Sequence, residues 1–197
     1  MATPETRTQL LDAAEHLFAE HGYRGTSVRA ITDRAGANLA AVGYHFGSKA
    51  DLLAEVCRRA VEPITSAQAA GLDRLLERTP DPAVADLVEA FVGPMFDLGG
   101  ARAYRLIVTI LSDPADEMRA WNGPAEDTIR DRFAAAFARA LPGLPGDELW
   151  FRLRGMLAVT TVDRVQLYQN PGPAGGPESR RWAITFLTAA LSAPRTP

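Results

Sequence analysis

Residues 26–38 read Thr-Ser-Val-Arg-Ala-Ile-Thr-Asp-Arg-Ala-Gly-Ala-Asn, and residues 39–49 continue Leu-Ala-Ala-Val-Gly-Tyr-His-Phe-Gly-Ser-Lys. Thr26 opens a short helix that turns Val28 and Ile31 inward and ends near Ala35-Gly36. The turn Ala35-Gly36-Ala37-Asn38 holds a glycine that accepts positive φ, and the small Ala37 lets two helices approach closely. Asn38 then caps a further short helix through Phe46, with Val42 and Phe46 as its inward residues. Two short helices joined in this way are the sequence form of a helix-turn-helix, whose second helix offers its N-terminal residues to a major groove.

Helical signals continue on both sides of this stretch. Thr3-Pro4-Glu5 is a helix start, with a capping hydroxyl, proline at the first helical position and an early acid. Leu10, Leu11, Ala14, Leu17 and Phe18 form one apolar stripe that Gly22 terminates. Downstream, Ser48 and Asp51 have capping-box spacing and begin a helix carrying Leu52, Leu53, Val56, Ala60 and Ile64, which Pro63 is expected to kink or divide. Cys57 lies on its apolar side as a buried thiol, since nothing around it lowers a thiol pKa. Further helices are expected near 66–78, 82–97, 101–112, 124–141, 146–169 and 178–192, separated by Pro- and Gly-rich breaks. The loop 170–177 is expected to be a surface connection. No period-2 pattern marks a strand, so the fold class is all-α.

The string 26–38 followed by Val42-Gly43-Tyr44-His45-Phe46-Gly47-Ser48-Lys49-Ala50-Asp51-Leu52-Leu53 resembles the signature of the TetR family of transcriptional regulators. Ala13-Ala14, Leu17-Phe18 and Gly22-Tyr23 are similar to that family's first helix, so the resemblance covers about residues 8–60. It implies a helix-turn-helix DNA-binding domain at 1–48 and a helical effector-binding and dimerisation domain at 49–197. It further implies a repressor, released from double-stranded operator DNA when a small molecule enters the larger domain and moves the two DNA-binding domains apart. Carried onto this chain, Arg29 approaches backbone or base edges, and Asn38, Leu39, Ala40, Gly43, Tyr44 and His45 lie on or near the groove face. Lys49 then meets a phosphate at the start of the fourth helix. Thr26 and Ser27 offer hydroxyls and N–H groups, and the side chains of Tyr44 and His45 can donate hydrogen bonds to phosphate.

One departure stands out: many members have tyrosine where this chain has Gly43. With Leu39-Ala40-Ala41 it leaves an apolar groove face, which shifts specificity toward thymine methyls and DNA shape. The stretch 37–49, with Arg58-Arg59-Ala60-Val61-Glu62-Pro63-Ile64, looks like a subgroup that includes fatty-acid-responsive (PsrA-like) regulators. A fatty acid or acyl-CoA is the effector class this implies.

Composition neither supports nor opposes that resemblance. The 197 residues carry a net charge of −3, and residues 1–60 hold seven bases against seven acids. Of the 21 basic residues, 20 are arginine and Lys49 is the only lysine, a position that wants a compact, flexible ammonium. The single cysteine argues against disulfides and cysteine-paired zinc sites. No charged-then-apolar leader or run of about 18 apolar residues is present, so a cytoplasmic protein without a membrane partner is expected. All three histidines fall within the first 45 residues, and no H-E-x-x-H, G-x-S-x-G or phosphate-cradling loop occurs. Neither an enzyme nor a cofactor is therefore expected.

Two further groups are singled out. Phe91, Met95, Phe96, Tyr104, Ile107, Leu111, Phe133 and Phe137 recur at helical spacing as core or as the lining of an apolar pocket, which a kink at Gly93-Pro94 would favour. Trp150, Leu153, Met156, Leu157, Trp182, Phe186 and Leu187 supply more apolar surface than a lone hairpin buries. The resemblance implies that these last helices pair with a second copy as a homodimer. The same residues admit another reading, a helical ligand-binding or adaptor protein whose helix-turn-helix no longer reads DNA.

Overall fold

The computed structural model describes residues 4–98, 104–106, 108, 124–165 and 177–196. These are helical throughout apart from turns, caps and the last few residues, so the fold is all-α as expected. The expected helix 101–112 and loop 170–177 fall largely outside the described residues. The chain divides into two compact units, Met1–Glu62 with Gly100–Gly123, and Pro63–Gly99 with Pro124–Pro197.

In the first unit, α1 (Pro4–Gly25), α2 (Val28–Ala35) and α3 (Ala40–Phe46) pack on one another. Gly22 leaves helical geometry at φ 71°, ψ 177°, interrupting α1 at the predicted position. Ser27 caps α2, its hydroxyl accepting from the Ala30 N–H at 3.0 Å, and Gly36 closes α2 at φ 63°, ψ 29°. That conformation is inexpensive only for glycine and returns the chain at once into α3. Asn38 starts α3 by accepting the Ala40 N–H on Oδ1 (3.0 Å) and the Ala41 N–H on its carbonyl (2.8 Å). Leu10, Phe18, Ile31, Val42, Leu52, Leu53, Val56 and Cys57 close the core, placing Cys57 as the buried thiol expected.

Helix α4 (Lys49–Arg78) starts at the predicted box: Ser48 Oγ accepts the Asp51 N–H at 3.1 Å and donates to its carboxylate at 2.6 Å. A separate helix at 66–78 is not formed, because α4 runs unbroken through Pro63. Proline removes one backbone bond there, but Val56, Val61 and Ile64 before or beside it and Leu72 and Leu75 beyond it are all buried. Packing on both sides outweighs the local preference.

In the second unit, α5 (Val84–Leu98), α6 (Pro124–Ala140), α7 (Gly146–Val165) and α8 (Pro177–Leu191) each pack against two of the others in a closed circuit. Leu72, Leu87, Val88, Val92, Phe133, Phe137, Met156 and Leu187 fill the interior. Pro94 sits inside α5, where its ring disturbs the carbonyls one turn back. Gln68, itself buried, donates from Nε2 to the Phe91 carbonyl at 2.8 Å and supplies an outside partner. At the far end, Arg152 donates to the carbonyls of Leu191 (2.7 Å), Ala193 (2.6 Å) and Pro194 (2.9 Å), satisfying the orphan acceptors that end α8.

Candidate nucleic-acid interface

Helix α3 is too short to be stable alone, so its neighbours fix its orientation. Ala41 and Val42 are buried against α1 and α2, and this turns the opposite side outward. Asn38, Leu39, Ala40, Gly43 and Tyr44 are exposed there, Leu39 to 58% and Tyr44 to 76%. A Cβ built on Gly43 would meet nothing within 4 Å, so the helix backbone is bare at that point. The expected reading residues thus share one exposed surface, and Ser27 and Arg29 at the start of α2 are exposed as well.

Two expectations need correction. Thr26 is 3% exposed, with Oγ1 lying 2.8 Å from the Gly22 carbonyl and 3.1 Å from the Leu17 carbonyl. Its hydroxyl is spent on the carbonyls released where α1 breaks and is not presented on the surface. His45 is half-buried, and its Nε2 is enclosed without a hydrogen-bond partner. Its ring instead abuts Tyr44 edge-to-face, with centroids 5.1 Å apart, so His45 supports Tyr44 and does not reach outward itself.

The even balance of bases and acids in residues 1–60 has a local side. Arg59 pairs with Asp12 and Glu15 of α1, and Arg7 and Arg58 both grip Glu55. The Arg58 and Arg7 guanidiniums hold the Glu55 carboxyl down at about 2. Three of the seven acids thus tie α1 to α4. Lys49, the lone lysine, places Nζ 4.0 Å from the centroid of the Tyr23 ring.

In the second unit the predicted groups divide. Phe133 and Phe137 are fully buried, and Phe133 meets Phe91 edge-to-face at 5.0 Å and Phe137 at 6.4 Å. With Phe96 they fill the interior. Met95 is buried too, with Sδ 3.6 Å from the Thr160 hydroxyl. Tyr104 is buried but belongs with residues 100–123 of the first unit, while Ile107 and Leu111 lie outside the described residues. The cleft that opens beside Gly93 and Pro94, about 450 Å³, is instead ringed by charge: Arg74, Arg78 and Arg180 face Asp86, Glu89 and Asp97.

Of the expected dimer residues, Leu153, Met156 and Leu187 are buried within their own unit. Leu157 is half-buried. Trp150, Trp182 and Phe186 are exposed, and two residues missed by the sequence reading join them: Phe151 at 70% and Val159 at 36%. The signal was present, since 151, 155 and 159 fall on one helical stripe.

An exposed reading surface on the second helix of a helix-turn-helix defines the class, a DNA-binding regulator. The model for bacterial regulatory proteins of the tetR family matches residues 10–56, and that for the tetracyclin repressor-like C-terminal domain matches residues 89–190. The chain belongs to the TetR family of transcriptional regulators. Among curated relatives, the HTH-type transcriptional repressor KstR2 of Rhodococcus jostii is 48% identical over 52 residues, 26% of each chain. The HTH-type transcriptional activator FasR of Mycolicibacterium smegmatis is 35% identical over 105 residues, 52% of this chain and 45% of its own. The chain thus matches about a quarter to a half of these relatives' length. The fold is shared with the TetR-family regulator PfmR of Thermus thermophilus, at TM-score 0.61 and 20% identity over 92% of this chain and 96% of that one. A regulator structure from Shewanella sp. PV-4 has TM-score 0.67 and 17% identity over 94% and 97%. Among the described residues, no helix is long and apolar enough to cross a membrane.

Proposed function

We propose that the protein is a homodimeric, effector-responsive repressor that binds double-stranded operator DNA through residues 1–48 and uses 49–197 for effector binding and dimerisation. The observation that carries this reading is the outward surface of α3, where exposed Leu39 and Tyr44 flank the bare backbone at Gly43. Asn38, Ala40 and Gly43 let that surface approach base edges closely, and Leu39 meets thymine methyls. Tyr44, buttressed by His45, donates to phosphate, as do Ser27, Arg29 and Lys49. The apolar face of Trp150, Phe151, Val159, Trp182 and Phe186 is the dimer contact, which places two readers on successive half-sites.

The effector is a small lipophilic molecule, with a fatty acid or acyl-CoA as the leading class. Its entry requires the stack of Phe91, Phe133 and Phe137 to part, because those rings fill the interior. Repression is the sign proposed, in keeping with KstR2; FasR, named an activator, defines the opposite outcome. Fluorescence-anisotropy titration with duplexes tiled across the intergenic DNA flanking the gene tests the reading. One duplex should bind preferentially, with affinity falling steeply as salt rises. Sequence-indifferent, salt-insensitive binding would leave the adaptor reading in its place.

A further inference from the structure

Tyr23 follows the break at Gly22 within α1, far in sequence from α4, yet its ring lies under the ammonium of Lys49. The distance from Nζ to the ring centroid is 4.0 Å, inside the range of a cation–π contact. The ring is itself held, because Phe18, 1% exposed, lies 6.0 Å away centroid to centroid at a 34° tilt. A buried phenylalanine thus fixes a half-buried tyrosine, which carries the one lysine of a chain with 20 arginines.

We infer that Tyr23 is a positioning residue for DNA binding: its ring face holds the Lys49 ammonium in place at the start of α4, ready for a phosphate. This rests on the reading of Lys49 as a phosphate contact. Lysine has a long stem whose rotamers must be frozen when the ammonium meets an anion. A ring contact formed before DNA arrives removes part of that ordering cost. A ring face attracts an ammonium without supplying a hydrogen-bond acceptor oxygen, so the contact does not replace the N–H···O bonds an ammonium makes to phosphate. Lysine's compact charge rests over a ring centre, whereas a guanidinium stacks as a plane. That difference is a physical reason for lysine at position 49 in a chain otherwise committed to arginine.

Two measurements on the full-length protein test the inference. The first needs no DNA. Because the chain has one lysine, labelling with 13C,15N-lysine yields a single side-chain spin system. Its Hε signals should be shifted upfield by ring current in wild type and Tyr23→Phe, and should return to ordinary values in Tyr23→Leu. The second is anisotropy against salt with the intergenic duplexes. Lys49→Gln should reduce the salt slope by about one per bound protomer. Tyr23→Leu should weaken binding by about 2- to 5-fold, the scale of an exposed cation–ring contact, while Tyr23→Phe binds as wild type. In the Lys49→Gln background, Tyr23→Leu should cost nothing further. An equal loss in both backgrounds would show a merely structural tyrosine and overturn the inference, as would Hε signals that ignore Tyr23→Leu. If Lys49→Gln leaves affinity and slope unchanged, the phosphate contact itself falls and the positioning role with it, even where the ring-current shift is present.

Discussion

Tyr44 stands out from a helix of seven residues and Leu39 from the position just before it, whereas Phe151, Val159, Trp182 and Phe186 stand out from helices of 20 and 15. Fractional exposure is similar in the two places, but the supports differ. The short helix α3 depends on Asn38, Gly47 and two buried residues for its position. It presents Tyr44 and the bare backbone at Gly43 outward. Helices α7 and α8 are anchored from below by Leu153, Met156 and Leu187, and they carry several exposed apolar side chains. A single exposed apolar residue is ordinary, while several on two packed helices are the raw material of an interface. The difference teaches that exposure alone does not separate the surface proposed to read DNA from the one proposed to meet a second copy; what lies beneath each does.

The sharpest way to break this comparison is to charge the proposed dimer face. Trp182→Glu combined with Phe186→Glu should leave each chain folded, because both side chains are already 59% exposed. Sedimentation velocity should then report monomer, and affinity for a duplex with two half-sites should fall by about 10²- to 10⁴-fold as the second reader loses its effective concentration. A dimer that survives both charges would assign the face to another partner.

Smaller effects are expected at α3, and they should be confined to DNA. Tyr44→Ala should weaken specific binding by about 1–3 kcal/mol with an unchanged melting temperature, since 76% of the residue is exposed. Leu39→Ala should cost less, and its loss should disappear on duplexes in which deoxyuridine replaces thymidine. That substitution removes the methyl group that an apolar side chain would touch. A Leu39 penalty that persists without the methyl would point to shape readout as the source of specificity.

Most of the first unit is legible in the chain because its elements are delimited by local chemistry. Gly22, Ser27, Gly36, Asn38 and the Ser48–Asp51 box all act within four residues of themselves, and the structure uses each of them as a break or a cap. Thr26 escapes such a reading for the complementary reason: its partners, the Gly22 and Leu17 carbonyls, become acceptors only once α1 breaks and folds back. Pro63 misleads as a helix breaker, since the burial that carries α4 past it is tertiary. The separation of Leu153, Met156 and Leu187 from Phe151 and Val159 depends on which side of α7 and α8 the interior claims. Apolar residues on both sides of these helices conceal that choice in the sequence. Arg152 reaching three carbonyls about 40 residues onward could not be anticipated from spacing.

The mildest prediction concerns how each unit is fastened within itself. The first unit joins α1 to α4 partly by charge, through Arg7 on Glu55 and Arg59 on Asp12 and Glu15; the second also pairs charges between helices, Arg132 with Asp73 and Arg180 with Glu89. Glu55 titrates at about 2 in the folded chain instead of near 4.5, mainly through its hydrogen bonds to Arg58 and then Arg7. A depressed folded pKa means that the stabilising contribution is complete above about 4.5 and fades as pH falls toward 2. At pH 7 Glu55→Gln should therefore loosen α1 and α4 by about 0.2–1 kcal/mol, the range for a solvent-screened pair. The gap to wild type should close as pH is lowered through this window. Hydrogen exchange of α1 and α4 amides, compared with α7 amides in the same sample, localises the effect to the first unit. A gap of constant size from pH 7 down to pH 2.5 would mean that packing around the Glu55 stem, and not its charge, holds α1 on α4.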